Sequence, residues 1–352
     1  IKIYLKKDKS DALKYEKEFV IYKMTNLKNL NLSSKTYILH FVSAEFIVSE
    51  QKKVSINYKG TYSGMVTKIL NDVLKVSGTP TNGKGGIGVI ESTYGNKDLV
   101  IPTITPLNAI NWICKRSVNS TEQKPDFVFF ETPKVGYNFV SLSKLKSATP
   151  IMTLNFNPKN LGQDGNEFFG VRDMKVLSNF SLMENIRDGT YSGKFIGFDT
   201  LTKTMSITTV KPTSDTTTNY VNKDNESYYN MTDSRVVSYP YELPRANVEY
   251  VKKNHPTQVN FMNNTEDYVF QRKCIFTNLF QKRLELVVPG NFALQSGVMI
   301  ELIVPSYAQK DTDGKTNDKS LSGNYLIVGT RHIVKYNQHE TLIEVVTDDT
   351  EQ

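Results

Sequence analysis

From Leu284 to Val346 the chain repeats one pattern: a short run of alternating apolar residues, ended by a proline or glycine. Leu284-Glu285-Leu286-Val287-Val288 runs into Pro289-Gly290, and Val298 to Val304 runs into Pro305. Gly323 opens Tyr325-Leu326-Ile327-Val328. Residues His332 to Lys335 continue outward, Tyr336 to His339 reverses the chain, and Thr341 to Val346 returns. Successive side chains of a strand point to opposite faces, so period-two runs make half-buried strands, and glycine and proline set where each stops. The result is an antiparallel meander of the kind that closes into a small barrel.

The first sixty residues read the same way. Ile1 to Leu5, Phe19 to Met24, Tyr37 to Val42 and Val54 to Tyr58 are four short strands. Four are too few to close a barrel alone. Together with the absence of an initiator methionine, this creates the expectation that the chain begins inside a longer protein. At Lys59-Gly60 the period changes. Met65, Val66, Ile69, Leu70, Val73 and Leu74 recur at helical spacing, with Thr61 or Ser63 as the cap. Thr105-Pro106 opens a second helix, with Leu107, Ile110, Ile113 and Cys114 on its apolar face. A hairpin follows, Phe127 to Phe130 and Tyr137 to Val140 around a turn from Pro133 to Gly136. Residues 173–188 carry a helical pattern, 194–198 and 204–208 a strand pair, and 265–283 another helix. From Lys211 to Val259 the chain is polar and nearly aperiodic, either an arm that packs on a partner or a mobile segment.

Composition narrows the class. With 352 residues, 39% apolar, there is material for two or three domains with buried cores. Twenty Gly and 13 Pro exclude collagen-like and low-complexity chains. No run of about 18 apolar residues provides a membrane-spanning helix, and Ile1 to Lys7 lacks the apolar core of a signal peptide. The net charge of +7 comes from scattered lysines rather than a stripe, which disfavours general nucleic-acid binding. Two distant cysteines, Cys114 and Cys274, form neither a disulfide framework nor a metal cluster and fit buried thiols in a reducing compartment.

Chemistry-bearing motifs are weak. Gly83-Lys84-Gly85-Gly86-Ile87-Gly88 has the letters of a dinucleotide loop, but no strand precedes it and no helix follows. Asp311-Thr312-Asp313-Gly314 lacks the order of a calcium loop. The four histidines show no metal-ligand spacing, although His332 and His339 flank a hairpin turn and can face each other across it. No nucleophile elbow, zinc-protease helix or P-loop is present, and paired carboxylates leave no spacing signature. No catalytic, cofactor-binding or metal residue is therefore assigned.

The closing strands carry a more specific signal. Leu284-x-Leu286-x-Val288-Pro289-Gly290-Asn291-Phe292-x-Leu294, Gly297-x-x-Ile300-x-Leu302-x-x-Pro305 and Leu321-Ser322-Gly323-x-Tyr325-Leu326-Ile327, followed by His332 and Thr341-x-Ile343-Glu344, resemble the second barrel of baseplate central hub proteins of contractile-tail (myovirus) phages. Related barrels occur in type VI secretion spike proteins. Upstream, Tyr37 to Ser43 with Phe46, Val54 to Gly60 and the Met65–Leu74 helix resemble the end of a hub's first barrel and its exit helix. Phe127 to Glu131 and Tyr137 to Leu142 resemble its inserted domain, and Gly189-x-Tyr191-Ser192-Gly193-Lys194 with Phe198-Asp199 the second barrel's entry. The structural motif positions are Gly60, Gly189, Tyr191, Pro289, Gly290, Gly297, Gly323 and Tyr325.

This resemblance implies an α+β, β-rich fold with two tail-tube-like antiparallel β-barrels and α+β insertion domains. The first barrel would take residues 1–58 without its N-terminal strands, and the inserted domain 59–172. The second barrel would take 173–210 and 265–352, with 211–264 as a polar excursion. It further implies a non-enzymatic virion component of the tail baseplate, assembled in the host cytoplasm. A homotrimer would form a ring of six barrels that adapts a hexameric tail tube to a trimeric central spike. Its partners would be the spike, tail-tube or tube-initiator proteins, the tape measure and wedge proteins. DNA would pass through the channel without sequence-specific binding. The last hairpin around Tyr336 to His339 and the loop 309–320 are expected to make the leading contacts. Two rival readings are a tail-associated cell-wall hydrolase component and a spike or hub protein of a secretion system or tailocin.

Overall fold

The computed structural model describes residues 1–6, 14–31, 34–76, 78, 85–156, 170–178, 181–188, 193–199, 203, 205–210, 236–241, 265–306, 317–318, 320–336 and 338–348. The chain divides into two compact units, Ile1–Ser120 with Val128–Val140, and Thr121–Phe127 with Ser141–Gln352. Among the described residues no helix is long and apolar enough to cross a membrane.

The first unit opens with an antiparallel sheet of β1 (Lys2–Lys6), β2 (Lys14–Asn31) and β3 (Ser34–Ser43), with β2 in the middle. β1 covers only the base of β2, from Lys6↔Lys14 to Lys2↔Glu18. Beyond that, β2 and β3 run on as a two-stranded ribbon, with slips of register at Tyr22, near Asn26 and Leu27, and at Leu30. The chain then enters α1 (Ala44–Gln51), β4 (Asn57–Gly60) and α2 (Tyr62–Lys68), which continues as a π-helical turn over Ile69–Val73. Thr61 caps α2 by accepting a hydrogen bond from the Gly64 amide at 3.2 Å. β4 pairs with β6 (Lys97–Val100). β5 (Ile87–Ile90) lies parallel to β8 (Gly136–Ser141), which also pairs with β7 (Phe127–Thr132). α3 (Pro106–Cys114) starts with proline in its first turn, as expected, but the Thr105 hydroxyl makes no cap bond. Met65, Val66, Ile69 and Leu70 meet Ile110 and Ile113 in the core, all 0–1% exposed, because each helix repeats its apolar residues every three or four positions.

The second unit is organised by a seven-stranded sheet. It comprises β9 (Thr153–Phe156), β10 (Gly170–Val171), β11 (Asp173–Ser178), β15 (Lys282–Pro289), β16 (Met299–Ile303), β17 (Gly323–Lys335) and β18 (Gln338–Thr347), in the order β10-β9-β16-β17-β18-β15-β11. The sheet curls until its margins meet in one stretch of chain. Gly170–Val171 pairs with β9, the Arg172 amide bonds the Val287 carbonyl at 2.8 Å, and Asp173–Ser178 pairs with β15. Leu284, Leu286, Val288, Tyr325, Ile327, Ile343 and Val345 point inward and are fully buried, the period-two pattern made physical. α4 (Leu142–Lys146) and α5 (Leu182–Asp188) are short. A separate sheet has the order β13 (Met205–Val210), β12 (Gly193–Asp199), β14 (Val236–Tyr241). α6 (Thr265–Leu279) buries Cys274, Ile275 and Leu279, and its Arg272 guanidinium donates to the Pro125 and Phe127 carbonyls at 3.1 and 3.0 Å.

The structure corrects the helix read over residues 173–188. Asp173–Ser178 is a strand, and only Leu182–Asp188 is helical. The spacing of Val176, Leu177 and Phe180 matches a helix by coincidence. β15 carries a second row of backbone donors and acceptors, and a strand satisfies them where a helix cannot. Cys114 and Cys274 are both buried and form no disulfide. Gly297 has φ +85°, just before β16, and its amide donates to the Ile327 carbonyl at 2.8 Å. Gly297→Val is therefore expected to cost about 1–3 kcal/mol, because a β-branched side chain is strained at positive φ. A thermal melt checks this, and an unchanged transition would contradict the assigned turn.

Candidate functional site

Among the described residues, no group of three or more His, Cys, Asp or Glu converges as a metal centre would. What the fold displays is a set of structured, partly apolar surfaces, each tied down by a polar cluster at its base.

The first is the β2–β3 ribbon. The pairings Ile21↔Phe41 and Met24↔Leu39 place Ile21, Met24, Tyr37 and Phe41 on one face. Val20↔Val42 and Thr25↔Ile38 place Val20 and Ile38 on the other. Tyr22 and Leu27 stand at the slips of register. These side chains are 39–59% exposed, on both sides of a ribbon only two strands wide. Cross-strand contacts keep it ordered: Phe19 and Phe41 rings lie 5.0 Å apart, and Thr25 Oγ1 lies 2.8 Å from His40 Nε2.

The base of the ribbon is held by a buried polar cluster. Lys17 of β2 donates its ammonium to Glu131 of β7. Tyr137 of β8 bonds Glu131 and Ser43, and stacks on Phe129 with ring centroids 5.6 Å apart. Burial raises the Glu131 pKa above the usual carboxylate range; Lys17 opposes the shift and the neighbouring Glu45 adds to it. Burial also raises the Tyr137 phenol, with the charges of Glu131 and Glu45 adding to the effect. The two acids sit together with Gly85, where a Cβ would approach Glu45 Oε1 to 2.9 Å. Gly85 belongs to the glycine run that mimics a dinucleotide loop. The run leads into strand β5 rather than a helix, and this glycine is explained by close packing on the cluster.

The second surface is the β17–β18 hairpin, whose tip residue Tyr336 is fully exposed at φ +51°. At its base, register places His332 opposite Thr341 and Val334 opposite His339. His339 Nε2 lies 3.2 Å from His332 Nδ1, which is also 3.1 Å from Thr341 Oγ1. Phe292 covers both imidazoles, with centroids 5.1 and 4.7 Å away. The backbone of Gly290 presses on His339: its amide donates to the His339 carbonyl at 2.8 Å, and a Cβ there would land on the ring. The expected facing of the two histidines is thus present, as a packed cross-strand pair.

Burial first, and His339 beside it second, lower the His332 pKa to about 4. The unfolded chain protonates near the ordinary value of 6.5, so between 6.5 and 4 it binds a proton that the folded chain refuses. Stability is expected to fall with pH through that window, by about 1–2 kcal/mol once partial exposure is allowed for. The raised Glu131 acts oppositely, gaining stability as pH falls through a window above the usual carboxylate value. Comparing melting temperatures of the parent chain and His332→Gln from pH 7 to 4 isolates the histidine. Equal pH slopes would contradict it.

The motif positions fall as follows. Gly60 (φ +122°) ends β4, Pro289 ends β15, Gly290 underlies His339, and Gly323 (φ +146°) starts β17. Tyr325 is buried in the curled sheet, with its hydroxyl on the Leu321 carbonyl at 2.9 Å. Gly189, Tyr191 and most of the loop 309–320 lie outside the described residues. The Lys17–Glu131 clasp escaped sequence reading, because residues 114 apart carry no spacing signal.

No protein-family model matches the chain, and no curated protein matches it. Solved structures do. The tail protein from Neisseria meningitidis MC58 aligns with 94% of this chain and 79% of its own, at TM-score 0.52 and 12% identity. The prophage MuSo2 43 kDa tail protein from Shewanella oneidensis aligns with 93% of this chain and 75% of its own, at TM-score 0.46 and 10% identity. A chain of the phage P2 baseplate in its activated conformation aligns with 100% of this chain and 80% of its own, at TM-score 0.27 and 10% identity. The first of these carries the conclusion: the chain is similar in fold to the Neisseria tail protein over nearly its whole length.

Proposed function

We propose that this chain is a structural hub of a contractile-tail phage baseplate. The observation that carries the reading is the fold shared with the Neisseria tail protein across 94% of the chain. In this reading three copies form a ring, and each contributes two barrel-like units. The curled seven-stranded sheet is one, and the β1–β3 sheet with its neighbours belongs to the other. Six pseudo-equivalent units dock a hexameric tube on one side, and three-fold symmetry receives a spike on the other. The tape measure and genome pass through the middle, and wedge proteins meet the rim. The role is mechanical: obligate contacts between copies carry it, not turnover. Support comes from the use of the half-buried acids Glu45 and Glu131, which lie near each other and of which Glu131 is tied up in a clasp with Lys17 and Tyr137.

Light scattering on the purified chain, with electron images of the same peak, tests this. The expected result is a species three times the 40.0 kDa chain mass, seen as a three-fold ring with a central hole. A strict monomer, even with tube and spike proteins added, would sink the reading.

A further inference from the structure

We infer that the β2–β3 ribbon is the element by which one copy of this chain grips the next, seated between surfaces of neighbouring copies so that both its faces are covered. The inference rests on the proposed self-assembly and names its contact surface.

Three observations carry it. First, the ribbon is apolar on both faces. Ile21 and Met24 look one way, Val20 and Ile38 the other, all 42–57% exposed. A single surface lying flat against the ribbon covers one set and leaves the other in water. In a closed ring each copy has a neighbour on either side, which supplies two surfaces. Second, the amount is right. Eight large apolar side chains between Val20 and Phe41 are each 39–59% exposed, more contiguous apolar surface than a chain that stays single ordinarily leaves in water. A lone two-stranded ribbon is marginal in water, so this surface has reason to be covered. Third, the ribbon is built to join through its faces rather than its edges. Lys23, Lys28 and Lys35 line it with no carboxylate between Phe19 and Ser43, and slips of register interrupt the strands. Both devices block strand-to-strand pairing along an edge.

The base of the ribbon suits the role. Lys17 on the way in and Ser43 on the way out are bound by the same β7–β8 hairpin, through Glu131 and Tyr137. An arm that grips a neighbour needs a fixed root, and this cluster supplies one.

The test uses the full chain. Met24→Glu alters one face and Ile38→Glu the other. Each variant is followed by light scattering over a concentration series, with circular dichroism and a thermal melt to show that the fold is kept. A photo-crosslinking residue at position 24 or 38 reports the neighbour directly. The expected result is an oligomeric parent chain, at least tenfold weaker self-association in each variant with an unchanged melt, and crosslinks that join two copies. If the parent is oligomeric and both variants match it, the ribbon is not the contact, while self-assembly stands. Loss of association in only one variant would overturn the two-sided seat. A parent chain that is monomeric at every concentration would overturn the ribbon's occupant together with the self-assembly it rests on.

Discussion

Gly290→Ala is expected to destabilise the fold by about 2–3 kcal/mol, a melting temperature roughly 5–10 °C lower. The reason is volume, because the new methyl group occupies the place of the His339 imidazole. The ring cannot swing away cheaply: Phe292 packs against it, His332 bonds it, and Thr341 behind them is completely buried. Moving His339 opens the hairpin at its root and separates Gly290 from the carbonyl it bonds. The double variant Gly290→Ala with His339→Ala provides the control. If the clash is the cause, the pair loses less than the sum of the single losses. Strict additivity would assign the loss to the turn itself.

Lys17→Met is the second large effect. It leaves Glu131 beside Glu45 without its cation, in a place where the Glu131 side chain is only 25% exposed. Removing one partner of a largely buried ion pair costs more than the pair contributes, because the other charge stays desolvated. The expected loss is about 2–3 kcal/mol near neutral pH, at the lower side of such cases because Glu131 is already predisposed to take up a proton. The loss should therefore grow as pH rises above the usual carboxylate range and shrink as the acid neutralises. Hydrogen exchange should quicken along the ribbon from Phe19 to Ser43 before it quickens in the helical core. Glu131→Gln placed on Lys17→Met should recover most of the stability. Failure to recover it would show that Lys17 acts through packing of its methylenes rather than its charge.

Much of this molecule was legible in order of residues alone. The strands of the closing meander follow from alternation, and their ends from Pro289, Gly297 and Gly323. α3 and α2 follow from helical spacing and their starts at Pro106 and Thr61. What sequence could not give depends on contacts between distant residues. β11 is a strand because β15 needs a neighbour, and nothing in Asp173–Ser178 announces that need. α1 was missed because Ala44–Gln51 carries no one-sided apolar stripe, with Ser49 as its buried residue. The histidine pair was visible because a hairpin keeps its partners close in sequence. The clasp was invisible because Lys17 and Glu131 meet only after the chain has folded.

The stretch from Gly170 to Ser178, shared by both margins of the curled sheet, bears on how this protein reaches its final form. Hairpin β17–β18 and its partner β15 can pair early, since little chain separates them. β9 lies far upstream, and the shared stretch can complete its ladders only when β9 and β15 are both in place. Bringing them together means closing a long loop, whose entropy must be lost before the last bonds repay it. The sheet is therefore expected to close late. Once closed, it opens when the shared stretch leaves either margin, and contacts that form this late act mainly on the rate of unfolding rather than on the rate of folding. For the baseplate role proposed above, slow unfolding is the property that counts.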